Sequence, residues 1–91
     1  MEFEWDEAKN QVNKAKRGID FKDAKQVFDG RTISFIDHRF DYGKEREVTL
    51  GMLGEMVVVI VHTTRGEKIR IISMRKARPR ERRFYEEEVF L

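Results

Sequence analysis

Two periods of apolar and polar residues run along this 91-residue chain and predict its strands and helices. Alternating or continuously apolar runs predict five strands. The run MVVVIVHT at 56–63 is apolar on both faces, so it predicts the central strand of a sheet. Phe3 and Trp5 alternate with glutamates, which predicts a short edge strand with one face in water. The predicted strands are 1–5, 32–37, 45–52, 56–63 and 68–74.

Capping signals predict three helices. Asp6 can cap a first helix, and Gly18 can end it because glycine accepts the left-handed conformation. Asp20 begins a second helix that ends before the turn at 29–30. Pro79 suits the first turn of a third helix, which we expect to span 79–89. Residues 38–44, HRFDYGK, follow no period and predict an exposed loop.

The predicted order is β-α-α-β-β-β-β-α, with hairpin-connected strands late in the chain. This order is typical of an α+β two-layer fold. We expect a mostly antiparallel sheet, with the helices packed on one face and the other face partly open. The length, without a linker or a repeat, predicts one domain over 1–91.

The composition argues against several classes of protein. The chain has no cysteine and only two histidines, His38 and His62, so no disulfide or zinc signature exists. Glycine-rich phosphate loops are also absent, and we expect neither a metal nor a cofactor. No apolar run approaches roughly 18 residues and the N-terminus is acidic. These features predict a soluble cytoplasmic protein without a membrane partner.

Positive charge is concentrated in one stretch of the chain. The net charge is only +2, but residues 65–83 hold nine basic and two acidic side chains, a formal charge of +7. A local basic patch beside acidic flanks predicts a site for a polyanion, with phosphates as the obvious candidate. The third helix also begins with arginines and ends with glutamates, against its dipole. Either these charges solubilise a surface helix through pairs such as Arg82 with Glu86, or the arginines serve a ligand.

This inventory of side chains suffices for metal-free RNA cleavage. The substrate supplies its own 2′-hydroxyl as nucleophile, so the protein needs a base, an acid and cations near the phosphate. His62 is a candidate because its pKa is ordinarily near neutrality, although a lone histidine at a strand end is more often structural. Tyr85 shares a helical face with Glu81 but could equally lie in the core. Glu45 and Arg46 open a strand after a loop, as either site residues or a solvated ion pair.

The last strand leaves one question open. Ser73 and Arg75 share a strand face with Ile69 and Ile71, whereas Arg70 points the other way. Either Ser73 with Arg75 or Arg70 therefore lies on the open face, and the sequence does not decide between the two registers. A bend near residue 74 would change the answer.

Three segments resemble signatures of the BrnT family: WDEAKNQVNKAKRGIDFKDAKQVFD at 5–29, Glu45-Arg46 with Gly51, and RIISMRKARPRERRFYEE at 70–87. Arg17 stands where that family usually has His, and Met74 where it usually has Ala. The resemblance carries family site positions onto this sequence. They are Glu45, Arg46, Arg70, Ser73, Arg75, Lys76, Glu81, Arg82 and Tyr85.

The resemblance implies a RelE-like fold and the activity of a ribonuclease toxin of a bacterial type II toxin–antitoxin pair, which arrests translation. It implies an RNA substrate, no metal, and neutralisation by BrnA, a DNA-binding antitoxin through which the complex contacts its operon. Two other hypotheses remain from the residues alone. The patch could bind nucleic acid without chemistry, or it could dock an acidic protein segment, and that segment could also mask a catalytic surface.

Overall fold

The computed structural model describes residues 1–38 and 45–90. The predicted order of elements is confirmed, with a single 3₁₀ turn at Phe21–Asp23 leading into the short second helix. The predicted loop at 38–44 lies outside the described residues from 39 onward. No helix in the described ranges is long and apolar enough to cross a membrane. The elements are β1 Glu2–Trp5, α1 Glu7–Arg17, α2 Ala24–Phe28, β2 Thr32–Asp37, β3 Arg46–Leu53, β4 Met56–Arg65, β5 Lys68–Lys76 and α3 Pro79–Phe90.

The five strands form one sheet in the order β1-β5-β4-β3-β2. Consecutive strands from β2 to β5 pair antiparallel, and β1 pairs parallel with β5. The prediction of a mostly antiparallel sheet with 56–63 at its centre is thus confirmed, as is the edge position of β1. The parallel register places Phe3 beside Ile69 and Trp5 beside Ile71, so the apolar residues of β1 extend the core.

The first core lies between the sheet and the segment that contains α1 and α2. A buried asparagine in α1 organises this segment. The Asn10 side chain donates to the Asp20 carboxylate at 3.0 Å and accepts the backbone N–H of Phe21 at 2.9 Å. Both ends of its amide are therefore satisfied, and Phe21 is directed into the sheet. The buried core residues on this α1/α2 face are Ile19, Phe21, Ala24, Val27, Val58, Ile60, Ile69, Ile71 and Met74.

The second core lies on the opposite face, under α3. Tyr85 of α3 packs with Val57 and Val59, which alternate along β4 with the Val58 and Ile60 of the first core. The prediction that all helices pack on one face is therefore wrong. A strand that is apolar on both faces needs cover on both, and α3 supplies the second cover. The buried residues on this α3 face are Val48, Leu50, Val57, Val59, Ala77 and Tyr85.

A β-bulge in β5 decides which face each of its side chains occupies. Val61 pairs with Ser73 and His62 pairs with Ile71, so Ile72 has no register partner on β4. This extra residue shifts the alternation by one position. Ile71 and Met74 consequently lie in the same core, although the sequence alone would put them on opposite faces. The two alternatives left open by the sequence are thereby combined, because Arg70 and Arg75 both lie on the α3 face.

An asparagine side chain supports β5 just past this bulge. The β1–β5 pairing covers only residues 68–71 of β5, so the outer edge of the strand is uncovered beyond Ile71. The backbone N–H of Met74 donates to the Asn13 side chain at 3.4 Å, and the Asn13 amide donates to the Ile19 carbonyl at 3.0 Å. Asn13 therefore joins α1, the following turn and the bulged part of β5.

Replacement of Gly51 should destabilise the fold. A Cβ at this position would lie 2.6 Å from Val27 Cγ1 and 3.1 Å from Thr32 Cγ2, so α2 would have to move off β3. We expect Gly51→Ala to lower the free energy of unfolding by about 1–3 kcal/mol, as overpacked cores generally do. Urea denaturation measures the change. Gly30→Ala is the matched control, because its Cβ would meet only an ordinary contact at 3.6 Å; equal stability of the two variants would contradict the prediction.

Candidate functional site

The α3 face of the sheet is covered by α3 at one end and open at the other. Register pairs continue across the strands from Phe35 to Val48, Val61 and Ser73, so these four residues share this face. The next row of the same face is mostly polar. We call the two rows the open half of the α3 face. The second row contains Glu4, Arg70, Thr63, Arg46 and Asp37.

Arg75 is held at the boundary between the open half and α3. Its guanidinium makes two hydrogen bonds to the Glu81 carboxylate, at 2.8 and 2.9 Å, and Nη1 also donates to the Lys76 carbonyl at 3.3 Å. Glu81 in turn accepts the backbone N–H of Arg78 at 2.8 Å, at the start of α3. Hydrogen bonding by Arg75 is the main cause that lowers the pKa of Glu81 to about 2. The pair fixes the orientation of a positive charge at the junction of β5 and α3.

Arg70 lies in the polar row beside the edge strand. The parallel register places Glu4 next to it, with 4.0 Å between Arg70 Nη1 and Glu4 Oε2. Lys68 and Glu2 form a similar pair at 3.8 Å. Part of the basic stretch is therefore balanced by β1, which sequence reasoning missed because strand pairing across more than 60 residues leaves no local pattern.

Arg46 reaches this row as the first residue of β3, and the backbone of Glu45 lies next to it. Arg46 is the register partner of Asp37, a buried carboxylate at 8% exposure. The Glu45 carbonyl accepts the Thr63 hydroxyl at 2.9 Å, and Thr63 is the register partner of Arg70. The structure thus brings Arg46, Arg70 and the backbone of Glu45 together at one end of the sheet.

Ser73 and Lys76 lie on opposite faces of β5. Ser73 is the register partner of Val61 and, together with Ile72, also lines a cleft of about 390 Å³ against α1. Lys76 is exposed and pairs with Val58, whose side chain lies in the α1/α2 core. By strand alternation, Ser73 lies in the open half whereas the Lys76 side chain is directed to the opposite face.

His62 is not brought to this surface. It is buried on the α1/α2 face, where Nε2 lies 2.7 Å from the Thr49 hydroxyl and that hydroxyl lies 2.6 Å from Ser34 Oγ. The Phe28 ring packs edge-on against the imidazole, with 5.1 Å between ring centroids. Burial lowers the pKa of His62 from its ordinary value, which favours the neutral ring. These contacts fit the structural interpretation of this histidine.

Tyr85 and Arg82 also lie apart from the open half. The Tyr85 side chain is fully buried and its hydroxyl donates to the Arg31 carbonyl at 2.7 Å. Burial raises the pKa of this phenol, which stays protonated. Arg82 pairs with Glu86 at 3.5 Å, which confirms that predicted pair, and it lines the outer surface of α3 with Phe90.

One exposed residue of the open half was missed by sequence reasoning. Phe35 lies in the edge strand β2 and retains 47% exposure, although its neighbours Val48 and Val61 are mostly covered. The period of two in TISFID puts Phe35 on the same face as Ile33. That signal was available, but it does not show that α3 covers Ile33 and leaves Phe35 open.

The Arg75–Glu81 pair should make stability depend on pH in the acid range. The pKa of Glu81 is lowered from its ordinary 4.5 to about 2, so the folded state favours the carboxylate. The stabilisation is complete above pH 4.5 and is lost as pH falls towards 2. We expect Glu81→Gln to abolish an acid-dependent contribution of about 1 kcal/mol, in line with partly exposed ion pairs.

Urea unfolding of the parent and of Glu81→Gln between pH 6 and pH 2 measures this contribution. Glu86→Gln is the control, since its pair with Arg82 is half exposed and should contribute less. Parallel pH profiles for the parent and Glu81→Gln would show that the pair has no net effect on stability.

The sequence model of one protein family matches most of the chain. That family is described as ribonuclease toxin, BrnT, of type II toxin-antitoxin system, and the match covers residues 5–81. No curated protein matches the chain in sequence. The matched range extends from the end of β1 to the first turn of α3 and contains the Arg75–Glu81 pair and Glu45, Arg46 and Arg70. The chain therefore belongs to the BrnT family, the ribonuclease toxins of type II toxin–antitoxin systems.

Proposed function

We propose that this ribonuclease toxin binds and cleaves RNA on the open half of the α3 face, without a metal ion. The observation that carries the proposal is the convergence produced by the bulge in β5, which puts Arg70 and Arg75 on one face with Arg46. Phosphate groups pair well with guanidinium groups, and a cluster of arginines on one surface provides an attractive path for an RNA backbone.

The proposed reaction uses the 2′-hydroxyl of the RNA as nucleophile. The 2′-oxygen forms a bond to the adjacent phosphorus, the bond from phosphorus to the 5′-oxygen breaks, and a cyclic phosphate remains. Negative charge accumulates on the phosphate oxygens in the transition state, and Arg75 would stabilise it. Glu81 acts as a positioning residue, because its two hydrogen bonds hold that guanidinium in place before the substrate arrives.

Glu45 is our assignment for the base that takes the proton of the 2′-hydroxyl. Among the other candidates, His62 and Tyr85 are buried and engaged elsewhere. Glu81 has a pKa of about 2 and is a weak base. Glu45 is exposed and its backbone contacts Thr63, beside Arg70. The departing 5′-oxygen takes its proton from water. Lys76, Arg82 and Ser73 have no assigned role in the step.

An antitoxin is the expected protein partner of a type II toxin. We propose that it is a DNA-binding protein of the BrnA kind, and that the toxin is a single-domain, RelE-like protein that acts in the cytoplasm. The antitoxin would neutralise the toxin by laying an acidic segment across the open half. Charge complementarity between the acidic segment and the arginines supports this placement. A segment bound there would also keep RNA off the same surface.

Removal of the Arg75 guanidinium should abolish most of the activity. We expect Arg75→Ala to slow the cleavage step by about 100- to 1000-fold, the effect of losing one donor to a developing oxyanion. Single-turnover cleavage of RNA in EDTA measures the rate. Arg83→Ala is the matched control, because Arg83 lies on the outer surface of α3 with Pro79 and Phe90. Full activity of a folded Arg75→Ala variant, or loss of parent activity in EDTA, would refute the proposal.

The assignment of Glu45 has its own test. Glu45→Gln keeps the size and hydrogen-bonding capacity of the side chain but removes the base. We expect cleavage to fall by about 100- to 10,000-fold, with RNA affinity retained, since general base catalysis contributes roughly that factor. A Glu45→Gln variant with an unchanged cleavage rate would exclude this carboxylate as the base.

A further inference from the structure

The open half of the α3 face contains an aromatic side chain with no assigned role. Phe35 is 47% exposed, whereas the buried members of the core under α3 are at most 8% exposed. It lies on β2, at the edge of the sheet, and its register partner is Val48. Val48 and Val61 form an apolar floor between Phe35 and Ser73. The ring therefore lies at one end of a shallow apolar row that continues towards Arg75.

Arginines border this apolar row on two sides. Arg46 is the register partner of Asp37, which lies two residues along β2 from Phe35 and on the same face. Arg70 lies two rows from Arg75 on β5, across the bulge. Strands are about 4.8 Å apart, so the four strands from Phe35 to Ser73 span about 14 Å. Phe35 is thus close enough to Arg75 for one RNA strand to reach both, but too far for one nucleotide.

Resting on the proposed function, we propose that Phe35 is the stacking platform for an unpaired base of the RNA substrate. Proteins that bind single-stranded RNA combine a positive path for the backbone with exposed aromatic rings for the bases. The open half and its boundary with α3 have three arginines and an exposed ring on one face. Each arginine also has a carboxylate beside it: Glu4 for Arg70, Asp37 for Arg46 and Glu81 for Arg75. A base inside a duplex cannot leave its stack without cost, so this platform selects single-stranded segments. Phe35 would hold a base while the arginines hold phosphates of neighbouring nucleotides.

Exposure alone does not support this role, because two other apolar side chains are similarly exposed but do not share a sheet face with these arginines. Ile36 is 43% exposed but faces away from the arginines, because it is the next residue along the strand and pairs with Glu47. Phe90 is 60% exposed and lines the outer surface of α3 with Arg82 and Glu86. Only Phe35, among these three, shares a sheet face with Arg46, Arg70 and Arg75.

Binding of a short, single-stranded 2′-O-methyl RNA tests the proposal, because methylation removes the nucleophile and prevents cleavage. Fluorescence anisotropy of a labelled oligonucleotide gives its Kd. We expect Phe35→Ala to weaken binding by about 5- to 150-fold, the range measured when an aromatic stacking partner is removed. Phe35→Trp should retain the affinity. Ile36→Ala is the matched control and should bind as the parent does.

The dependence of Kd on salt separates stacking from charge. Phe35→Ala should leave the slope of log Kd against log salt unchanged, since no phosphate contact is lost. Arg70→Gln should reduce that slope by about one unit. A series of oligonucleotides, each with one abasic nucleotide at a different position, locates the stacked base. We expect one position at which the loss of the base weakens binding to the parent protein. At that position Phe35→Ala should add no further loss, because both changes remove the same contact.

Several results would overturn the inference. They are parent-like binding by Phe35→Ala, an equal loss in Ile36→Ala, or full additivity of Phe35→Ala with every abasic position. Weaker binding of the antitoxin with unchanged RNA binding would assign Phe35 to the protein partner instead. Phe35→Leu replaces Phe35→Ala if circular dichroism shows that the latter is unfolded, with the same expectation. None of these results would contradict the proposed function if the parent protein still cleaves RNA and the cleavage depends on Arg75. A parent protein that neither binds nor cleaves RNA would refute the proposed function itself.

Discussion

The bulge in β5 is the constraint on which the site depends. Without the unpaired Ile72, the strict alternation of a strand would send Met74 and Arg75 to the wrong faces relative to Ile71. Met74 would then leave a core in which it is fully buried, and Arg75 would enter that core. One extra residue allows β5 to fill the α1/α2 core along its whole length and still present two arginines on the opposite face. Core packing and the convergence of the arginines are therefore set by the same local irregularity.

The extra residue in β5 also needs a partner outside the sheet. β1 is too short to cover β5 beyond Ile71, so the Asn13 side chain accepts the backbone N–H of Met74 there. Asn10, one helical turn earlier, holds the turn that follows α1. The two asparagines thus connect a polar helix to the rest of the fold through hydrogen bonds more than through apolar contact. Both lie in the N-terminal segment that resembles the BrnT signature, and their contacts give that segment a physical role.

Local patterns in the sequence were enough to predict the order of elements and the central position of β4. Because β4 is apolar on both faces, both faces of the sheet need cover, and α3 covers the second one. The prediction of helices on one face did not take this into account. The bulge could not be predicted, because a period of two does not show which residue is left over. The parallel pairing of Glu4 with Arg70 is likewise nonlocal. His62 and Tyr85 were catalytic candidates because of their residue types. Only the structure shows that both side chains are buried and hydrogen-bonded within the fold.

The reversed charges of α3 leave its C-terminal end dependent on a residue from another part of the chain. Its last turn contains no basic residue of its own. Arg31, 58 residues earlier in the chain, instead donates to the Val89 carbonyl at 3.2 Å, and its own carbonyl accepts the Tyr85 hydroxyl. A cation from the start of β2 therefore complements the negative end of the helix dipole. As an isolated peptide, α3 would lack this partner and its apolar cover, and it is too short to be stable alone. The position of the helix that carries Glu81 therefore depends on the attachment of β2 to the sheet.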